Sequence, residues 1–123
     1  MNTMQQRLES CAALADALCA ALGGEIEKLG FAPGSVVLGR PQSAVYRLDR
    51  DPANGTDSLC GEWRDNHGQR VGMLVFHADG SFFAEHDVVR MHPRDARWFV
   101  EAVQAWGREE RISAEPRLMP MVS

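Results

Sequence analysis

Apolar residues recur at three- and four-residue steps through the first thirty positions: Met4, Leu8, Cys11, Ala15, Leu18, Leu22 and Leu29. That spacing predicts a helix over residues 3–22, reaching 29 if Gly23-Gly24 is carried through, with Thr3 as N-cap and Gly30 as stop. The glycine pair is the weak joint, because each glycine costs about 1 kcal/mol in a helix interior relative to alanine. The stripe has the spacing of a coiled-coil seam, which would make the helix a pairing arm. Ala12, Leu14, Cys19 and Ile26 widen it, as packing on the chain's own sheet requires. Intramolecular packing is therefore the expectation, and a helix-paired adaptor through residues 4–29 is the alternative.

Beyond a Gly/Pro-rich linker, Gly30–Pro41, in which Val36-Val37-Leu38 is a candidate short strand, the period shortens to two. Ala44–Asp49 reads as a strand, followed by a loop over Asp51–Asp57. Three more strands follow, at Ser58–Asp65, Gln69–Ala78 and Ser81–Val89, with turns marked by Asn66-His67-Gly68 and Asp79-Gly80. Val71, Met73 and Val75 face one way along a strand whose other face carries Leu74 and Phe76. A half-solvated sheet would alternate apolar with polar, so this one needs cover on both faces. Two-residue loops at His67-Gly68 and Asp79-Gly80 put Leu59, Phe76 and Phe83 in one row, with Trp63 opposite Gly72. The reverse face then carries Cys60, Val75 and Ala84, and beside them Glu62, Met73 and His86.

Further along, Pro93 suits the first position of a helix and Asp95 complements its dipole. Phe99, Ala102, Val103 and Trp106 make an apolar stripe ending near Gly107, so a second helix is expected over residues 93–108. Ile112–Leu118 alternates again, and Pro116, lacking an N–H, confines it to an edge. The expected fold class is α+β. An antiparallel β-meander of four to five strands packs against an N-terminal helix and a second helix near the C-terminus. Residues 1–123 read as a single domain: helix to 30, linker 31–42, meander 43–89, helix 93–108, edge strand 112–118. Two helices cover one sheet face, and the simplest cover for the other is a second copy of the chain.

Composition narrows the class of partner. A net charge of −4 and a pI near 5.5 argue against nucleic acid and anionic membranes. Arg90, Arg94 and Arg97 are interleaved with Asp87 and Asp95 and read as a mixed surface. Three cysteines without CxxC spacing suit a reducing compartment. Glu9, Ser10 and Asp16 interrupt any signal-peptide layout, and no run approaches 18 apolar residues, so a cytoplasmic protein is expected.

Candidate chemistry is sparse. His77, His86 and His92 lie close in sequence, but His77 and His86 sit roughly 13 Å apart along a hairpin, too far to share a metal, and no metal site is expected. Glu62 and His86, in one row of the assumed register, are the acid–base candidates for a small-molecule hydrolase or isomerase. Cys60 lies in a strand with no basic neighbour and is expected to be buried and inert. The chain has no nucleophile elbow and no phosphate-binding glycine loop, so no cofactor is expected. Trp63, Met73, Phe82, His86 and Trp98 are the candidate binding or interface residues. With no catalytic constellation legible, a non-catalytic homodimer that binds a protein partner or a small apolar ligand ranks ahead of an enzyme.

Overall fold

Helix α1 runs unbroken from Thr3 to Leu29 in the computed structural model, which describes residues 3–121. The side chain of Thr3, expected to cap the helix, lies outside what is described. The glycine joint holds because the stripe around it is consumed by the sheet. Leu18 and Leu22 are wholly buried, and Ala15, Ile26 and Leu29 nearly so. Gly30 takes φ +98 to end the helix, its N–H donating to the Glu27 carbonyl at 3.0 Å. The Arg94 side chain fills the space a Cβ at Gly30 would need. This sets a guanidinium beside the negative end of the helix dipole. Toward the other end, Arg7 donates to the carbonyls of Asp57 (2.9 Å) and Phe76 (3.0 Å), pinning helix to sheet.

Six strands follow: β1 (Val45–Arg50), β2 (Asp57–Arg64), β3 (Arg70–Phe76), β4 (Ser81–Met91), β5 (Trp98–Arg108) and β6 (Arg111–Pro120). They form one antiparallel sheet in sequential order. Cross-strand partners define rows on the face under α1. One row is Leu48–Leu59–Phe76–Phe82–Gly107–Ile112, the next Tyr46–Gly61–Leu74–Ala84–Ala105–Ala114, the third Trp63–Gly72–His86–Val103–Pro116. The first two rows are apolar throughout, and with α1 they make the core. Pro116 and Pro120 lie on the β6 edge, where each withholds a donor from any further strand.

Three expectations are corrected. Residues 93–108 are not a helix: a turn at 92–97 leads into β5, and the meander has six strands rather than four to five. His92 Nδ1 accepts the N–H groups of Arg94 and Asp95, and the Asp95 carbonyl accepts that of Trp98, so Pro93 opens a turn. The helical spacing of Phe99, Ala102, Val103 and Trp106 is the mark of a β-bulge. A register shift between Val100 and Ala102 breaks the period of two and leaves adjacent Ala102 and Val103 buried on opposite faces.

The second correction is to the Asp79-Gly80 hairpin. The His77 N–H bonds to the Ser81 carbonyl, so the loop is the three residues Ala78, Asp79 and Gly80, with Gly80 at φ +90. One extra loop residue moves every partner on β4 by one. Phe76 therefore faces Phe82, and Val75 faces Phe83. The 66–68 hairpin also has three loop residues, but a bulge between Trp63 and Arg64 restores the expected pairs Leu59–Phe76 and Trp63–Gly72. Third, Val36-Val37-Leu38 forms no strand.

Candidate functional site

Two regions hold the candidate residues: the sheet face turned away from α1, and a cleft at the end of the sheet where the 31–44 linker crosses. On the outer face Cys60, Val75, Phe83 and Trp106 stand in one row, with Arg47 and Ser113 at its ends. The neighbouring row places Met73 between Glu62 and Glu85. Charged pairs flank this apolar centre. On one side Glu62 pairs with Arg64 at 2.8 Å and Arg47 at 3.8 Å; on the other Arg117 bridges Glu85 at 2.8 Å and Glu101 at 3.1 Å. Phe83 and Met73 are half-buried and Trp106 is 36% exposed. No described element packs over them.

The cleft, ≈ 770 Å³ in volume, lies between the linker, the β2–β3 hairpin and the irregular end of β4. Trp63 is its inner wall. The ring packs against Gly39 and Gly72, neither of which has room for a Cβ, and its Nε1–H donates to the Arg40 carbonyl at 2.8 Å. His86 lies beside it, ring centroids 5.4 Å apart, and is 5% exposed. Nδ1 of His86 sits 2.9 Å from the carbonyl oxygen of Asp87. A carbonyl only accepts, so Nδ1 carries the hydrogen and Nε2 of the neutral ring is left as an acceptor. Nε2 has no partner among the described residues.

Two residues on from the Asp87 carbonyl, Val89 holds φ +54 at a register shift in β4. A β-branched residue in the left-handed region is a strained one, and such strain gathers at binding sites. Val89→Gly is expected to raise the unfolding free energy by about 1 kcal/mol, read as a higher denaturant midpoint at unchanged slope.

The sequence-derived candidates divide between these regions. Glu62 and His86 are expected in one row, but the shifted register pairs Met73 with Glu85 and Gly72 with His86, which puts Glu62 and His86 on opposite faces of the sheet. They form no acid–base pair. Phe82, expected at an interface, is core at 3% exposure; Phe83 takes the outer position. Ala84, expected in the row with Cys60 and Val75, instead lies in the core. Trp63 and His86 meet in the cleft, Met73 is on the outer face, and Trp98 opens β5 opposite Pro120. His77 bonds Ser58 Oγ at 2.8 Å, well away from His92 in its turn. Among the described residues no cluster of three or more His, Cys, Asp or Glu side chains could hold a metal ion, and no helix is long and apolar enough to cross a membrane.

Sequence reasoning misses Phe83, Trp106, Val89 and the arginines of the cleft. Only Phe83 has a legible signal, since Asp79-Gly80 also suits a three-residue loop with glycine last.

The thiols are quiet. Cys60 is half-buried, its thiol pKa raised by burial and by Asp49. Cys19 is pushed up to about 11 by burial and then by Asp16. A raised thiol pKa means the fold favours the neutral form. The stabilisation is complete below the unfolded value near 9 and is lost as pH rises through 11. At pH 8, Cys19 is expected to react with iodoacetamide roughly a hundredfold more slowly than the same cysteine in the urea-unfolded chain, measured by mass spectrometry of the labelled peptide.

Fold and surface together define a class: an α+β protein in which one long helix covers one face of a six-stranded antiparallel meander. Neither a family model, nor a curated protein, nor a solved structure matches the chain.

Proposed function

We propose that this is a non-catalytic binding protein that works as a homodimer, with the outer face of the sheet as its self-association surface. The observation that carries this reading is the apolar row Cys60–Val75–Phe83–Trp106, with Met73 beside it, at the centre of a face that nothing described covers. A second copy is favoured as the cover by the size of the face. Six strands at about 4.8 Å spacing and eight residues of about 3.4 Å rise span a face of about 800 Å², the area one partner contributes to a standard interface. A two-fold axis along the strands lays β1–β2 of one copy over β5–β6 of the other. Free Cys11, Cys19 and Cys60 suit a reducing compartment such as the cytoplasm.

The leucine stripe of α1 is spent on the protein's own sheet, which removes the motive for a helix-paired adaptor. The enzyme reading loses its residue pair across the sheet.

Phe83→Glu places a charge at the centre of the proposed contact without touching the core. Light scattering is expected to give twice the 13.6 kDa chain mass for the parent protein and a single chain for the variant, with unchanged circular dichroism. A parent protein that is monomeric at micromolar concentration would overturn the reading.

A further inference from the structure

We propose that the cleft beside Trp63 binds a small apolar carboxylic acid, with His86 Nε2 as its hydrogen-bond partner. This goes beyond the dimer reading and uses the end of the sheet where the linker crosses, around Trp63 and His86. Three observations meet here. The first is His86 itself: a polar side chain more than nine-tenths buried, its Nδ1 committed to the Asp87 carbonyl, its Nε2 unpartnered among the described residues, in the wall of the cleft. No described side-chain nitrogen or oxygen is both fully buried and unpartnered, so Nε2 is not completely enclosed. A lone pair so little exposed is poorly served by water, and its position is explained by a donor that arrives from outside.

The second is charge. Arg40, Arg64 and Arg70 line the cleft against Asp65 and Asp87. Asp65 is spent on the backbone N–H groups of His67 and Gln69, and Arg64 on Glu62 and the Gly68 carbonyl. Arg40 and Arg70 have no ion-pair partner among the described residues, which leaves two guanidiniums for an incoming carboxylate beside the Asp65 and Asp87 side chains. The third is the rim. Val37 is 81% exposed and Val89 63% exposed, both lining the cleft with Leu38 behind them. Val89 keeps this place at the cost of a left-handed backbone.

One ligand chemistry answers all three: a carboxyl group that shares one proton with Nε2, and an apolar body between the two valines. A carboxylate from solution brings no proton of its own, so binding takes up one proton from solvent. Drawn as an acid on a neutral ring or a carboxylate on an imidazolium, the complex is then the same. An alcohol offers the donor without the charge, and an ammonium offers the wrong charge.

The test titrates the full-length protein with octanoate, 1-octanol and octylammonium, following calorimetry and the ring ¹⁵N signals of His86. Octanoate is expected to bind roughly tenfold more tightly than octanol, with octylammonium weakest, and to move the His86 ring signals. Arg70→Gln is expected to bring octanoate down to the octanol level and leave octanol unchanged. Val89→Gly is expected to melt at a higher temperature yet bind both ligands more weakly, so a loss of binding cannot be a loss of fold. Equal affinity for octanoate and octanol, no binding at millimolar concentration, or octanoate shifts confined to Met73 and Phe83 on the outer face would each overturn the proposal. Failure here leaves the dimer reading intact, since Phe83→Glu tests that separately.

Discussion

Replacing Leu18 and Leu22 together by alanine is expected to remove about 5 kcal/mol of stability, a large share of what a chain of this length has to lose. Both side chains are at 0% exposure in the middle of the helix–sheet contact. A buried leucine truncated to alanine costs about 3 kcal/mol, the lost transfer energy plus a cavity that the surroundings only partly fill. The two positions are one turn apart and share neighbours, so the costs do not simply add. Whole-protein stability at ~0.05–0.15 kcal/mol per residue is only about 6–18 kcal/mol for 123 residues. Urea denaturation followed by far-ultraviolet circular dichroism measures the loss. A loss below about 1 kcal/mol would show that the leucine stripe is not core and would return α1 to the role of a pairing arm.

The second large effect is expected from Gly72→Val. A Cβ at Gly72 would stand 2.7 Å from the Glu85 carbonyl oxygen, 2.8 Å from the Trp63 ring and 3.2 Å from the His86 Cα. Two of these atoms are backbone of the neighbouring strand, which cannot swing away as a flexible side chain can. The valine must push β3 from β4 or drive Trp63 off its seat against Gly39. Overpacking of this kind costs about 3 kcal/mol. Thermal unfolding is expected to show a lower midpoint. Tryptophan emission should shift to the red as Trp63 loses both its packing and its bond to the Arg40 carbonyl. An unchanged midpoint with unchanged emission would mean that the Trp63–Gly72 contact does not hold this end of the sheet.

Both effects rest on features legible in the order of residues. The stripe Leu8 to Leu29 marks the helix and its buried face, because a 3.6-residue period carries its own geometry. Trp63 opposite Gly72 is reached from a two-residue loop because the third loop residue and the bulge after Trp63 cancel, and Pro116 marks the β6 edge. The expectations that fail do so for local reasons with long-range consequences. Ala78 joins the loop rather than the strand, and that single residue exchanges Phe82 for Phe83 on the outer face and takes His86 away from Glu62. Glu101 at the β5 bulge gives a strand the spacing of a helix. Neither loop length nor bulge has a hydrophobic period of its own, so a periodicity reading passes over both.

The candidate site is less legible than the fold. Trp63 and His86 stand out as residues, but not as neighbours, and the arginines and exposed valines around them read as ordinary surface. Their convergence depends on the linker crossing the sheet, which no pattern in a Gly/Pro-rich segment encodes.

Residue order alone decided which segments carry an apolar face: the long N-terminal helix, the alternating strands between 44 and 89, and the edge strand that Pro116 blunts. Those follow from backbone period and side-chain chemistry within a few residues. Which strand faces which, whether 98–108 coils or extends, and which histidine nitrogen is left free were decided only when β4 and β6 closed on β5 and the linker reached Trp63. Hydrogen-bond partners across a sheet are chosen by the sum of all the pairings at once. A segment whose local preference is divided takes the shape that its neighbours can satisfy.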